Sequence, residues 1–115
     1  MGAIGLNQTL VTIANGTSLS AAVPIGDHVP VGIAMPTGWD AAGITFQVSC
    51  DGGVTFNELY DATGANTTLT TALGRYIPLD PSVWIGINHI KIRSGTAGVP
   101  VNQTADRVVT LISRL

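Results

Sequence analysis

Charge is what this sequence lacks most. Charged residues make up 10% of the 115-residue chain, whereas an average domain has about 25%. Nucleic-acid binding needs a basic stripe that displaces counterions from phosphates, and five Lys and Arg residues scattered along the chain do not form one. The surface must therefore be rich in Thr, Ser, Asn, Gly and Ala, which suits a protein whose surface is largely covered by neighbours.

Cysteine and histidine are almost as scarce. Cys50 is the single cysteine, so the chain can form no internal disulfide and carries no cysteine-based metal or redox motif. The two histidines, His28 and His89, show no spacing with Cys50 or Asp27 that indicates a thiol–imidazole pair or a metal site. We therefore expect no enzyme activity, no bound metal and no cofactor.

The seven carboxylates do not form a recognisable catalytic or calcium-binding pattern. Three of them, Asp27, Asp51 and Asp80, stand beside Gly or Pro, where an aspartate typically bonds the backbone of a turn. A glycosidase needs two carboxylates facing each other across a cleft, and an EF-hand loop needs several in Asp-x-Asp-x-Asp-Gly spacing. The EF-hand spacing does not occur in the sequence, and no spacing of carboxylates indicates a glycosidase pair. The sequence leaves open the binding of a single ion by the loop at Asp51 or Asp61.

Long hydrophobic runs are also missing. No apolar stretch approaches the length that spans a membrane. The opening residues have neither a positive n-region nor a long apolar core, so we expect no signal peptide and no membrane partner. The length predicts one domain over residues 1–115, with residues 1–6 as a flexible N-terminal arm.

What the chain does contain is strand-like alternation, most clearly in the stretch from Gly43 to Tyr60. From Ile44 to Ser49, apolar and polar residues alternate, which predicts a strand with one buried face and one face in water. Asp51-Gly52-Gly53 then predicts a hairpin turn, because glycine accepts positive φ. A second extended run follows, and we expect Phe46 and Phe56 to lie in the core.

Similar extended runs recur along the chain at a spacing of roughly 8–12 residues, with turn signals between them, and no helical-length window has a 3.6-residue stripe. In the run over 86–93, His89, Lys91 and Arg93 are expected to face solvent. The fold class predicted is all-β, an antiparallel two-sheet β-sandwich, and the long connections favour a jelly roll. The other predicted runs cover residues 7–14, 18–25, 28–35, 67–72, 75–79, 99–104 and 107–115.

The last run, residues 107–115, is apolar on both faces, which predicts that both faces are covered. We expect it to form part of a self-associating surface and of a contact with a partner protein. The alternative is a monomer in which the N-terminal strand covers the extra apolar face. The candidate interface residues are Val108, Ile112, Leu115, Pro30 and Trp84.

Four stretches of the chain carry a family resemblance: residues 39–61 (beginning Trp39-Asp-Ala-Ala-Gly), 75–81 (Arg75-Tyr-Ile-Pro-Leu-Asp-Pro), 90–96 (Ile90-Lys-Ile-Arg-Ser-Gly-Thr) and 100–107 (Pro100-Val-Asn-Gln-Thr-Ala-Asp-Arg). They resemble small proteins encoded in the structural gene clusters of tailed phages and prophages. The resemblance implies a virion component, specifically a capsid decoration (cement) protein with a jelly-roll fold that is made in the host cytoplasm and binds the outside of the head. Its implied partners are the major capsid protein and further copies of itself, and a trimer would match the local three-fold axes of a capsid.

A second resemblance concerns the fold. The order Phe46-Gln47, Ser49, Asp51-Gly52 and then Arg75-Tyr76-Ile77 is similar to galactose-binding-like and discoidin-type jelly rolls. The alternative function is therefore a carbohydrate-binding β-sandwich module of a tail fibre or other virion appendage. Such modules often expose aromatic rings as a stacking platform, whereas we expect Trp39 and Trp84 to plug the ends of the sandwich.

Overall fold

The computed structural model describes residues 5–115, and β-strands dominate it. Residues 1–4, which hold most of the predicted N-terminal arm, lie outside the described residues, while Leu6 already belongs to the first strand. The described helical structure is one 3₁₀ turn at Pro81–Val83, and nothing in residues 5–115 is a helix long and apolar enough to cross a membrane. The strands are β1 (Leu6–Ile13), β2 (Val23–Pro24), β3 (Val29–Ala34), β4 (Ile44–Ser49), β5 (Asn57–Glu58), β6 (Tyr76–Pro78), β7 (His89–Ser94) and β8 (Arg107–Arg114).

The eight strands form two antiparallel sheets. Sheet A has the order β1-β8-β3-β6, and sheet B has the order β2-β7-β4-β5. The chain behaves as a folded ribbon, because each of the first four strands pairs with one of the last four: β1 with β8, β2 with β7, β3 with β6 and β4 with β5. This wrapping of a ribbon into two packed sheets is the jelly-roll topology, so the predicted fold class is confirmed.

The core lies between the sheets and is built from alternate residues of the longer strands, as the period of two requires. Phe46 is fully buried, and its ring meets the Trp84 ring edge-on, with the centroids 4.8 Å apart and the planes at 88°. Edge-to-face packing of this kind is the arrangement that aromatic pairs prefer. The other fully buried core residues are Val11, Ile13, Ile33, Val109 and Leu111 from sheet A and Ile44, Ile90 and Ile92 from sheet B.

A short turn delivers Trp84 to this core. Asp80 caps the 3₁₀ turn by accepting a hydrogen bond from the Ser82 backbone N–H at 3.0 Å, and Pro81 opens the turn where its missing N–H costs nothing. Trp84 follows directly, with its N–H donating to the Pro81 carbonyl at 3.1 Å. The tight turn predicted at residues 81–84 is therefore confirmed.

Three local predictions about the hairpin region are wrong. Phe56 is only partly buried and lies under the Lys91 ammonium, 4.3 Å from the ring centroid, so it is outside the core. The predicted run over 67–72 forms no strand, because Leu69 alone forms a β-bridge, to Ile44. The polar face of β4 is also not wet throughout, since Thr45 is fully buried.

Candidate interaction surface

The face of sheet A that points away from the core carries two of the residues predicted to form an interface, Val108 and Ile112. Val11 and Ile13 of β1 and Val109 and Leu111 of β8 are fully buried, so the residues that alternate with them point outward. The register places Leu10 opposite Thr110, and β3 and β6 extend the same face. We call this surface the outer face of sheet A; its residues are Leu6, Gln8, Leu10, Thr12, Gly32, Ala34, Tyr76, Pro78, Val108, Thr110, Ile112 and Arg114.

Apolar side chains dominate the outer face of sheet A. Leu10 is 65% exposed and Tyr76 is 55% exposed, and Leu6 and Val108 are also exposed. Arg114 is its single charged member. No described residue outside the sheet covers these side chains enough to bury them. An exposed apolar surface with a single charged residue is typical of a protein interface.

Tyr76 and Gly32 meet on this face. Gly32 lies on β3 beside the β6 strand that carries Tyr76, and a methyl group on Gly32 would overlap the phenol end of the Tyr76 side chain. The tyrosine therefore occupies the space that a side chain at residue 32 would fill. Cross-strand packing of an aromatic residue over a glycine restores contacts that the glycine itself lacks.

Two of the predicted interface residues, Val108 and Ile112, lie on this surface, whereas Leu115 follows β8 with the parity of the inward-facing residues. Val108 and Ile112 point outward from β8, opposite in direction to Val109 and Leu111, as the doubly apolar pattern predicts. Leu115 follows the strand and is exposed. The alternative in which the N-terminal strand covers the extra face is wrong, because β1 lies beside β8 in the same sheet.

The other two predicted interface residues need correction. Trp84 is only 2% exposed, because its ring is packed against Phe46 inside the sandwich. Pro30 is buried where β3 is bulged between Pro30 and Gly32, opposite Ser113 of β8. Neither side chain is presented on the surface of the chain. The expectation that Trp84 plugs the sandwich is the one that the burial supports.

Sequence reasoning missed several members of the surface. Leu6 and Leu10 alternate with Val11 and Ile13, so β1 is apolar on both faces in the same way as β8. That pattern was visible in the sequence. The position of Tyr76 was not, because it depends on the pairing of β6 with β3.

The outer face of sheet B is polar and carries an ion pair between two of its strands. Arg93 donates to both carboxylate oxygens of Glu58, at 2.7 and 2.8 Å, and Gln47 donates to the same carboxylate at 2.8 Å. Arg93 is therefore buried, which corrects the expectation that it faces solvent. The Arg93 guanidinium lowers the pKa of Glu58, and Glu58 in turn raises the pKa of Arg93. This bidentate pair ties β5 to β7 across β4.

A second ion pair closes one end of the sandwich. Arg107 donates to Asp40 at 2.8 Å, and the buried Gln103 bonds both the backbone N–H and the carbonyl of Asp40. Desolvation raises the pKa of Asp40, but hydrogen bonds from Arg107 and Thr104 outweigh it and lower the pKa. The Arg107 charge is thus balanced by Asp40 within the same chain.

The aspartates beside glycine and proline hold turns, as predicted. Asp51 accepts from the Thr55 backbone N–H at 2.9 Å and from the Ser49 hydroxyl at 2.7 Å, and Gly52 and Gly53 both have positive φ. These bonds, that from Thr55 first, lower the pKa of Asp51 to about 2. Asp61 holds its own loop in a similar way.

A shallow groove of about 300 Å³ lies at the end of the sandwich between residues 26–29 and 84–88. Its ionisable side chains are Asp27 and His28, and the His28 Nδ1 lies 3.7 Å from the Asp27 carboxylate. Asp27 is largely exposed to solvent. Over residues 5–115, His, Cys, Asp and Glu side chains form no group of three that could hold a metal ion. The groove therefore offers the polar side chains of Asp27, His28 and Asn88 and little enclosure.

Comparison with known proteins adds no relative. No family model, curated protein or solved structure has a significant match to this chain.

Proposed function

We propose that the protein is a structural component of a phage particle, a decoration protein that binds the outside of the capsid and stabilises contacts between major capsid subunits. The observation that carries this proposal is the outer face of sheet A, an apolar surface with one charged residue. The sequence resemblance to phage structural proteins supplies the identity of the partner. Binding would be made strong by repetition, because a lattice presents the same site many times.

The character of the surface supports a protein partner. Outward-pointing Leu, Val and Ile residues gain free energy on leaving water, and the Thr and Gln residues between them desolvate at less cost than charged groups. The ion pairs Arg93–Glu58 and Arg107–Asp40 lie elsewhere, and each is already satisfied within the chain. Apart from Arg114, which pairs with Leu6 at the end of β1, the surface can thus be covered without leaving a buried charge unpaired.

The use of the carboxylates supports a non-enzymatic role. Asp51, Asp61 and Asp80 accept hydrogen bonds from their own turns, and Asp40 and Glu58 each bind an arginine. Groups engaged in this way hold the fold and are not poised to move a proton. We propose accordingly that the protein acts by binding, at the capsid surface and in closed homo-oligomers.

The test is co-assembly with a capsid shell. The chain is co-expressed with the major capsid protein encoded nearest to it in its own genome, and the shells are purified on a density gradient. We expect the chain to sediment with the shells at a fixed ratio. A chain that stays at the top of the gradient while shells form normally would overturn the proposal.

A matched pair of variants locates the contact. Val108→Glu places a charge on the outer face of sheet A and should abolish co-sedimentation, because a buried unpaired carboxylate is costly. Lys91→Ala changes the outer face of sheet B and should leave co-sedimentation unchanged. Equal loss with both variants would show that this face is not the contact.

Carbohydrate binding is the second candidate, and exposed Tyr76 favours it. Tyr76 offers a ring on a flat sheet face, as sugar-binding sandwiches do. Glycan-array binding that disappears with Tyr76→Ala, together with no binding to shells, would establish this function in place of the first.

A further inference from the structure

The four sheet edges differ in how well they are protected from pairing with another chain. Three of them are blunt: β2 and β5 have two residues each, and β6 has three and ends at Pro78. The fourth edge is β1, which has eight residues, pairs with β8 without a bulge and contains neither proline nor a charged residue. Short length, proline, bulges and charge are the devices that natural sheets use to prevent edge pairing. The β1 edge has none of them.

The free edge of β1 presents a regular row of unpaired groups. The Leu115 N–H donates to the Gly5 carbonyl at 2.9 Å, so Gly5 and Leu115 form a hydrogen-bonded pair. Hydrogen-bonded pairs alternate along an antiparallel ladder, so the odd-numbered residues of β1 bond β8. The even-numbered residues, Leu6, Gln8, Leu10 and Thr12, therefore direct their N–H and C=O groups away from β8. Within residues 5–115, no other strand pairs with this edge.

One antiparallel register satisfies all four of these residues in two copies. When Thr9 lies opposite Thr9 of a second copy, Leu6 pairs with Thr12 and Gln8 pairs with Leu10. Side chains that face each other then lie on the same side of the sheet, as pairing requires. A two-fold axis passes through Thr9, and opposed threonines are a favourable cross-strand pair.

Charge also fits a second copy. Arg114 pairs with Leu6 at one end of β1, whereas Asp106 accepts from the Asn15 backbone N–H beyond the other end. The two-fold antiparallel arrangement places Arg114 of one copy and Asp106 of the other at the same end. β1 itself brings no charges together, and Arg107 is already neutralised by Asp40.

We infer that the protein forms a dimer in which two β1 strands pair antiparallel about Thr9, joining two copies of sheet A into one eight-stranded sheet. The outer faces of sheet A become continuous across the axis. This association is isologous, since each copy uses the same patch. It differs from the trimer expected from capsid symmetry and does not depend on a capsid.

The molar mass in solution is the first test. Light scattering after size exclusion at micromolar concentration should give twice the chain mass of 11.8 kDa. Gln8→Pro removes an outward N–H without touching the ladder to β8, so the dissociation constant should rise by about tenfold or more. Gln8→Ala keeps the N–H and should remain dimeric. A monomer or a trimer for the unaltered chain would overturn the inference.

Disulfide trapping tests the register independently of any proline effect on folding. Exposed Cys50 is first replaced by Ser, and Thr9→Cys is added. The two Thr9 α-carbons would be about 4.5 Å apart, within the range that a disulfide spans. The matched control is Thr12→Cys on the same strand, where the two α-carbons would be about 20 Å apart. Mild oxidation should cross-link the Thr9 variant alone; cross-linking of both variants, or of neither, would contradict the proposed pairing.

Discussion

The phenol end of Tyr76 occupies the space into which any side chain on Gly32 would project. The two residues lie on neighbouring strands of sheet A, and the tyrosine is held on the surface by this contact. Gly32→Ala should displace the ring and lower the free energy of unfolding by about 1 kcal/mol, since overpacking costs at least that much. Urea unfolding of the two proteins measures the difference.

The same substitution should reverse sign when the tyrosine is absent. In a Tyr76→Ala background, Gly32→Ala meets no ring and should stabilise the strand by about 0.5–1 kcal/mol, because glycine is costly in a strand interior. The double-mutant cycle therefore gives a coupling energy between the two positions. An identical effect in both backgrounds would mean that the ring does not constrain residue 32.

Phe46 and Lys91 test which face of sheet B is the core face. Phe46→Ala removes a fully buried ring that packs edge-on against Trp84, so we expect the free energy of unfolding to fall by about 3–5 kcal/mol. Lys91→Ala removes a cation over the partly buried Phe56, and we expect the free energy of unfolding to fall by about 0.5–1 kcal/mol. Denaturant unfolding of both variants gives the comparison. Similar losses would contradict the assignment of faces.

The Glu58–Arg93 pair should contribute measurably because Arg93 is buried. Glu58→Gln leaves the guanidinium with a neutral acceptor, and we expect a loss of about 1.5–3 kcal/mol at pH 7. Asp27→Asn is the control, since this carboxylate is largely exposed and should change stability by less than about 0.5 kcal/mol. If both substitutions lower the free energy of unfolding by the same amount, the bidentate Glu58–Arg93 pair stabilises the fold no more than an exposed carboxylate does.

Asp51 predicts a pH-dependent loss of stability on the acid side. Its pKa in the folded protein is about 2, whereas an unfolded aspartate has a pKa of about 3.9. A lowered folded-state pKa means that the contribution is complete above the unfolded value and disappears as pH falls toward 2. Asp51→Asn should therefore be less stable than the unaltered protein at pH 6 and nearly equal to it at pH 2. Unfolding free energies across this range provide the check, and a difference that does not vary with pH would rule out the charge as its cause.

The sequence predicted the strands that are long and alternate cleanly. β1, β4, β7 and β8 lie where the period of two indicates them, within a few residues. Residues 67–72 are rich in threonine yet form no strand, because a strand needs consecutive pairing with a neighbour and only Leu69 forms a β-bridge. The alternation of residues thus located the strands in the sequence, and pairing with a neighbouring strand decided where each one begins and ends.

Part of the candidate surface could be predicted for a similar reason. Val108 and Ile112 were found because β8 is apolar on both faces, a pattern visible within a single strand. Trp84 was misplaced because its burial depends on Phe46, which is distant in the sequence. Arg93 was misplaced because Glu58 reaches it from another strand. Contacts between strands that are far apart in the chain leave no local periodic signal.

The pairing of β1 with β8 also sets the order in which the protein can fold. β1 is made first among the described strands, but its partner is made last, and β8 also joins β1 to β3. Until β8 emerges from the ribosome, β1 has two unpaired edges and β3 lacks its main neighbour. Sheet A therefore closes only after synthesis of the strands is complete, and long-range closure of this kind is slow. Nascent chains pass through a period in which two apolar strands are open to other chains, so we expect the yield of folded protein to depend on synthesis rate and temperature.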